Sequence, residues 1–179
     1  LEEPQTIINV IQNHANEKNL LAGKKILITA GPTREEVDPV RFFSNRSTGK
    51  MGFALAEVAA GLGAEVTLVS GPVNLPIKNE KINQVKIISA EEMYQAVHEN
   101  YPQADIVIKA AAVADYRPKQ THTQKMKKSD DKLVFEMERT KDILKSLGEI
   151  KKQQFLVGFA AETENHLANG KGKLVKKNL

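Results

Sequence analysis

Short apolar runs alternate with stretches of helical periodicity along most of this chain. Lys25-Ile26-Leu27-Ile28-Thr29-Ala30 has strand length and is bounded by Gly23 and by Gly31-Pro32, the pattern of a strand buried on both faces. Residues 51–62 are Ala-rich with helical spacing and stop at Gly61 and Gly63; Glu65-Val66-Thr67-Leu68-Val69-Ser70 then forms a second buried run before Gly71-Pro72. The alternation continues with a strand over 85–89, a helix over 90–100 and a strand over 105–108 that runs into Ala110-Ala111-Ala112. Two further strand candidates, 133–137 and 155–159, flank a helix over 142–150, and a last helix covers 162–177. At the other end, Pro4 opens a lead-in helix over 4–18 with Ile7, Ile8 and Ile11 at helical spacing. Such alternation predicts an α/β fold: a Rossmann-like, doubly wound, mostly parallel sheet with helices on both faces, in a single domain. Its boundaries are expected at 23–179, after a linker helix in 1–22. The Lys-rich stretch 117–132 is the one long loop, and loops of that length inside a compact domain are usually functional or mobile.

Composition narrows what such a fold can do. A chain of 179 residues is long enough for a real core. No apolar run approaches the roughly 20 residues of a membrane span, so no membrane association is expected. The absence of Cys removes disulfides, thiolate metal sites and cysteine nucleophiles, and with no signal peptide in view a cytoplasmic location is expected. With 26 Lys+Arg against 22 Asp+Glu the net charge is +4, too balanced to imply a nucleic-acid partner unless the positive charge is concentrated. A start at Leu1 leads us to expect a chain processed or excised from something longer.

Ligands of an open parallel sheet bind beyond the carboxyl ends of its strands, so 31–52, 70–76 and 110–128 should face one crevice. There Ser47-Thr48-Gly49-Lys50-Met51-Gly52 opens a helix with small residues, which lets backbone N–H groups and the helix dipole approach an anion. This is not a Walker A loop, because Ser44 stands where the first Gly is needed and Met51 follows Lys50. The dinucleotide fingerprint is also missing: residues 31–48 separate the first strand from Gly49, and the second strand ends Ser70-Gly71-Pro72 without an acid. An NAD(P)-dependent Rossmann oxidoreductase therefore stands as the alternative reading. His14, His98, His122 and His166 are too scattered to hold a metal. Arg34, Arg41, Asn45, Arg46 and Lys50 gather cations and an amide donor near the anion-binding turn, a set suited to phosphorylated substrates and to acyl or phosphoryl transfer. A solvated loop with incidental charge would look the same in composition. Asp115 could orient a base or ribose, or be a turn residue, and Lys125, Lys127 and Lys128 could close over a triphosphate or merely be solvated.

Six segments together resemble a known family. They are Ile28-Thr29-Ala30-Gly31-Pro32-Thr33-Arg34-Glu35, Asp38-Pro39-Val40-Arg41-Phe42-Phe43-Ser44-Asn45, Ser47-Thr48-Gly49-Lys50-Met51-Gly52, Ala111-Ala112-Val113-Ala114-Asp115-Tyr116, Lys125-Met126-Lys127-Lys128 and Gly158-Phe159-Ala160-Ala161-Glu162-Thr163. In this order they resemble the phosphopantothenoylcysteine synthetase half of the bifunctional coenzyme A biosynthesis flavoprotein. The resemblance implies a ligase that joins 4'-phosphopantothenate to L-cysteine through an acyl-cytidylate, with CTP and Mg²⁺, releasing pyrophosphate and CMP. It implies Lys125 for the first step and Asn45, with Arg41 nearby, for amide formation. Ala111, Ala112, Gly49 and Lys50 would meet substrate, and Asp115, Lys141, Asp142, Ile143, Leu144, Phe159, Lys173 and Lys177 the nucleotide. Which residues hold the metal is left open by the resemblance. A homodimer is expected, with a decarboxylase domain fused upstream in the full protein; FMN is not expected on this chain. Arg46 departs from the family's small or imidazole residue after the Asn. Family members continue past Leu179, so a C-terminal part of the domain is expected to be missing.

Overall fold

A computed structural model describes residues 6, 19–127, 132–159 and 166–179. In chain order its elements are β1 (Lys25–Ala30), β2 (Arg34–Glu36), β3 (Phe42–Ser44), α1 (Lys50–Gly61), β4 (Glu65–Ser70), β5 (Ile82–Lys86) and α2 (Ala90–Asn100). After a turn of 3₁₀ helix at Tyr101–Gln103 come β6 (Ile106–Lys109), β7 (Tyr116–Pro118), β8 (Met137–Arg139), α3 (Ile143–Ile150), β9 (Phe155–Gly158) and α4 (His166–Lys176). The lead-in helix expected over 4–18 lies outside the described residues except at Thr6.

β1 is buried from Ile26 onward because it has partners on both edges and helices on both faces, leaving no polar side. It pairs in parallel with β4 and with β6, Ile26 standing opposite Val66 and Ile106. Adding β5 and β9 outside them gives the parallel order β5-β4-β1-β6-β9. Side chains alternate along β1. Ile26, Ile28 and Ala30 meet Phe53, Ala56 and Ala60 of α1, while Leu27 faces a second core with Met93 and Val97 of α2 and Ile143 and Leu147 of α3. Each such Leu or Ile taken from water contributes roughly 1.5–3 kcal/mol. The doubly wound fold with helices on both faces therefore follows from the pattern of its strands.

The chain winds outward from β1 through β4 to β5, then returns to β6 on the other side of β1 and continues to β9. Its direction thus reverses between β1 and β6. Beyond the strand ends the two are joined by a parallel bridge between Pro32 and Ala112.

Three glycines meet at that point. Gly31 and Gly49 both have φ +75°, and a Cβ added to Gly49 would come within 3.5 Å of the Gly31 Cα. At Gly52, one turn into α1, a Cβ would lie 2.5 Å from the Ala30 Cβ and 3.0 Å from the Thr29 carbonyl oxygen. One glycine makes the turn, one opens the helix start and one lets helix and strand touch, the division of labour of a dinucleotide fingerprint. The fingerprint that is absent as a contiguous motif is assembled in space, with residues 32–48 looped out between its first and second members. Much of that insertion is the antiparallel hairpin β2–β3, Glu35 opposite Phe43.

The structure corrects three sequence expectations and adds a hairpin. β5 begins three residues before the expected start, because an edge strand with one partner shows only a weak apolar pattern, and Ser89 caps α2 instead of ending a strand. The apolar run 133–137 is not a sheet strand: Leu133 and Val134 are exposed, and only Met137–Arg139 forms β8, antiparallel to β7. The long loop thus begins inside a ribbon, with Tyr116 opposite Arg139. The hairpin β2–β3, whose outer strand is exposed throughout, has no apolar alternation that would announce it.

Gly52→Ala is expected to lower stability by roughly 1–3 kcal/mol, since backbone and a core alanine must move to admit one methyl. Urea unfolding checks this; an unchanged midpoint and slope would mean that α1 does not press on β1 as described.

Candidate active site

Backbone beyond the end of a strand loses its ladder partners and must find others. Here two threonines supply them. The Thr29 hydroxyl accepts from the Ala111 N–H at 3.1 Å, and the buried Thr33 hydroxyl accepts from the Ala114 N–H at 3.0 Å. The Ala112 N–H donates to the Gly31 carbonyl at 2.9 Å, and Thr140 holds the Ala114 carbonyl from the far side at 2.6 Å. The 110–114 segment is thereby stretched across the switch point as a narrow wall.

The hairpin leans on this wall through one side chain. Ser44 fixes the end of β3 by donating to the Thr33 carbonyl at 2.7 Å. The next residue, Asn45, spends both amide hydrogens on the carbonyls of Ala112, at 3.3 Å, and Val113, at 3.0 Å.

Three adjoining clefts surround the wall. The first, about 700 Å³, lies between the hairpin and the start of α1 and is lined by Arg34, Asn45, Arg46, Gly49 and Lys50. The second, about 510 Å³, is largely apolar, with Met51, Ala111, Phe159 and Leu174 among its lining residues. Ala110 lines both. The third, about 390 Å³, is polar and holds Asp115, Arg139, Lys141 and Asp142. It shares Lys109 and Lys177 with the second.

The expected site residues distribute among these clefts. Asn45, Gly49 and Lys50 line the first; Ala111, Ala112, Leu144, Phe159 and Lys173 line the second; Asp115, Lys141, Asp142 and Ile143 line the third; Lys177 lines the second and third. Some of their charges are already engaged. Lys141 pairs with Glu91 at 2.7 Å and lies 4.5 Å from the Tyr94 ring centre, and the Lys141 ammonium holds the Glu91 carboxyl below its ordinary pKa. Asp142 caps α3 by accepting from the Lys145 N–H at 3.1 Å and pairs with Lys177 at 3.0 Å. Partial burial works against its charge, but these donors outweigh it and its pKa falls.

Arg41 and Lys125 are not among the residues lining the three clefts. The Arg41 guanidinium is bonded to the buried Asp38 carboxylate, with Nε at 2.9 Å, and donates to the Met126 carbonyl at 3.0 Å. Asp38 also accepts the N–H groups of Val40, Arg41 and Met126. Upstream of Lys125, the His122 N–H donates to the Val37 carbonyl and the Thr121 hydroxyl to that of Glu36. The backbone is therefore fastened to the hairpin on both sides of exposed Lys125, and Arg41 stands as an anchor for that loop. Lys128 lies outside the described residues.

Sequence reasoning missed two residues here. Lys109 ends an otherwise apolar strand, and a charge at that spot was a signal open to reading. Asp38 had only its Asp-Pro turn to mark it.

Comparison with known proteins shows the family. A family model described as the DNA/pantothenate metabolism flavoprotein C-terminal domain matches residues 21–179. The chain belongs to this family. It is similar to the coenzyme A biosynthesis bifunctional protein CoaBC of Bacillus subtilis, 52% identical over 181 residues, covering all of this chain and 45% of that protein. The protein of the same name from Haemophilus influenzae is 46% identical, again over all of this chain and 45% of its own length. The chain thus spans about half the length of the curated relatives it matches. Among solved structures, the C-terminal domain of a CoaBC protein is 55% identical with a TM-score of 0.80, covering 89% of this chain and 76% of that one. The family is thus the one that the six sequence segments resemble.

Hydrogen bonding by Arg41 holds the Asp38 carboxyl well below the usual carboxylate range, in spite of its burial, with three backbone N–H groups adding to the effect. A carboxyl depressed in the folded state contributes stability above the unfolded value near pH 4, and that contribution is lost as pH falls towards the native one. Wild type should therefore lose stability from about pH 4 downward. Asp38→Asn should be less stable at neutral pH and show a shallower acid dependence. Chemical unfolding at several pH values reads both, and parallel curves would contradict the assignment.

Proposed function

We propose that this chain carries phosphopantothenate-cysteine ligase activity in coenzyme A biosynthesis. It joins 4'-phosphopantothenate to L-cysteine with CTP, through an acyl-cytidylate. The observation that carries the reading is the Asn45 amide on the Ala112 and Val113 carbonyls. It ties the cleft at the start of α1 to the wall of the two clefts beside it, so an acid in one and a nucleotide in the others meet across 110–112.

In the first step a carboxylate oxygen of 4'-phosphopantothenate attacks the α-phosphorus of CTP, and the bond to the bridging oxygen breaks to release pyrophosphate. The 4'-phosphate fits the start of α1, where Gly49 leaves room for it and the first helical residues, Lys50 and Met51, offer N–H groups and the positive end of the helix dipole. Mg²⁺ bound together with the nucleotide would offset the charge of its phosphates, and one or two carboxylates of the protein would hold it there. Asp115, exposed beside the third cleft, suits that role. Among the described residues no group of three His, Asp or Glu forms a dedicated metal site.

In the second step the neutral amine of cysteine attacks the acyl carbon, CMP leaves with the bonding pair, and the nitrogen loses a proton. An acyl oxygen beside Asn45 competes with the Ala112 carbonyl for one amide hydrogen. A preorganised donor of that kind is worth roughly 3–4 kcal/mol where water is excluded. Lys125 stabilises the charge of the first step; it lines none of the three clefts, and in a homodimer its loop reaches those of the neighbouring copy. Exposed Val40, Phe42, Leu133 and Val134 give that copy apolar surface to cover. The reaction is placed in the cytoplasm. No helix among the described residues is long and apolar enough to cross a membrane.

Incubation with 4'-phosphopantothenate, Mg²⁺ and each nucleoside triphosphate, without cysteine, is expected to yield a trapped acyl-nucleotide and pyrophosphate from CTP. No acyl-nucleotide with any of them would refute the ligase reading. Lys125→Gln should abolish pyrophosphate release, whereas Asn45→Asp should still form the cytidylate and fail to pass it to cysteine. Equal blocks of the first half-reaction would refute this division between the two residues. Sedimentation should find a dimer.

A further inference from the structure

Thr33 lines none of the three clefts, yet both halves of the Asn45 contact run through it. It is fully buried. Its carbonyl accepts the Ser44 hydroxyl at 2.7 Å, which fixes the backbone immediately before Asn45. Its N–H donates to the Ala112 carbonyl at 3.4 Å, and its hydroxyl accepts the Ala114 N–H at 3.0 Å. The two carbonyls that Asn45 grips, those of Ala112 and Val113, stand between the segment's fastenings at Ala111, on Thr29, and at Ala114, on Thr33. Thr33 therefore fixes the donor through its carbonyl and the acceptors through its N–H and hydroxyl.

The Ala112 carbonyl is shared between the Thr33 N–H and one Asn45 amide hydrogen, at 3.3 Å, and its two lone pairs can hold both donors. When an acyl oxygen draws that amide hydrogen away, the carbonyl keeps the Thr33 N–H, so the exchange leaves no polar atom bare. The other amide hydrogen stays with Val113. Such an exchange works only if the carbonyls do not drift, because a misplacement of about 1 Å can cost on the order of a hundredfold in rate. The Thr33 hydroxyl prevents that drift. Without it the Ala114 N–H, itself in a buried residue, must move or take in water to find another acceptor.

We propose that Thr33 is a positioning residue for amide formation: by holding the Ala114 N–H, its buried hydroxyl sets the Ala112 and Val113 carbonyls where they aim the Asn45 amide at the acyl oxygen. The assignment rests on the ligase reading given above. Thr33 acts through Asn45 and makes no contact with the reacting atoms, so its loss spares the first half-reaction and slows the second.

The test compares the full-length wild-type protein with Thr33→Val, which keeps the shape and removes the hydroxyl, and Thr33→Ser, which keeps the hydroxyl. Should Thr33→Val not fold, Thr33→Ala, which leaves room for a water on the Ala114 N–H, takes its place under the same criteria. The half-reactions are read separately, at a temperature where melting shows every variant folded: pyrophosphate release without cysteine, then single-turnover transfer of the accumulated acyl-cytidylate to cysteine. Thr33→Val should keep the first within about twofold and slow the second by about tenfold to a hundredfold, and Thr33→Ser should recover most of that rate. A merely structural role would lower both half-reactions alike. That result overturns the proposal, as does unchanged transfer in Thr33→Val or a Thr33→Ser as slow as Thr33→Val. A second readout needs no turnover. In ¹⁵N-labelled protein the Asn45 side-chain amide pair, recognised by its absence from the spectrum of Asn45→Asp, should shift in Thr33→Val and hold its wild-type position in Thr33→Ser. An unmoved pair in Thr33→Val overturns the proposal. If wild type makes no acyl-nucleotide with any triphosphate, the ligase reading falls; a shifted pair then leaves Thr33 as the residue that places Asn45, and an unmoved pair removes that assignment too.

Discussion

Where a parallel sheet reverses its winding, two adjacent strands send their following segments to opposite faces, and the backbone that continues past them has no ladder to join. Between β1 and β6 that backbone is held by side-chain hydroxyls and a single bridge. The Thr29 and Thr33 oxygens accept N–H groups of the 110–114 segment, and Pro32 stands opposite Ala112. These contacts keep an extended run of small residues in the open at the sheet edge instead of letting it collapse into a turn. Asn45 finds two carbonyls within reach because that run is extended, and the clefts on either side stay separate because it is narrow.

Cations around this wall fall into two groups. Arg41, Lys141 and Lys177 are engaged with Asp38, Glu91 and Asp142, and their work is to fix a loop and two helix starts in place. Lys50, Lys109 and Lys125 form no ion pair with a described residue, so their charge is available to a ligand. The distinction is geometric and cannot be read from composition, in which all six residues count alike. Arg41, which the family resemblance puts near the acyl group, is bonded to Asp38 and to the Met126 carbonyl next to Lys125.

Burial on two faces writes itself plainly into a sequence. The strands at 25–30, 65–70 and 106–109 and the helix at 50–61 were legible because every residue facing a core must be apolar or small. Legibility failed where one face or one edge is free. β5 was misplaced by three residues, and the ribbons β2–β3 and β7–β8, short and solvent-facing, left no periodicity to find. At the site, Asn45 and Gly49 stand out from the small-residue turn and the polar insertion before it, whereas nothing in local spacing says that residue 45 touches residue 112. Asp38 escaped because its importance lies in contacts with Met126, far along the chain.

The crowding of Gly31 against Gly49 means that the chain leaves the sheet and comes back at almost the same point. Everything between those two residues is an outgrowth that closes on itself at the sheet edge and still grips what lies beneath it: Thr33 receives the Ala114 N–H, Arg34 donates to the Ile88 carbonyl, and Glu35 receives the Ala90 N–H at the start of α2. A seat for anions has thereby acquired a clamp that pivots on one pair of glycines, so a disturbance at that pivot is felt by the wall and by the start of α2 together.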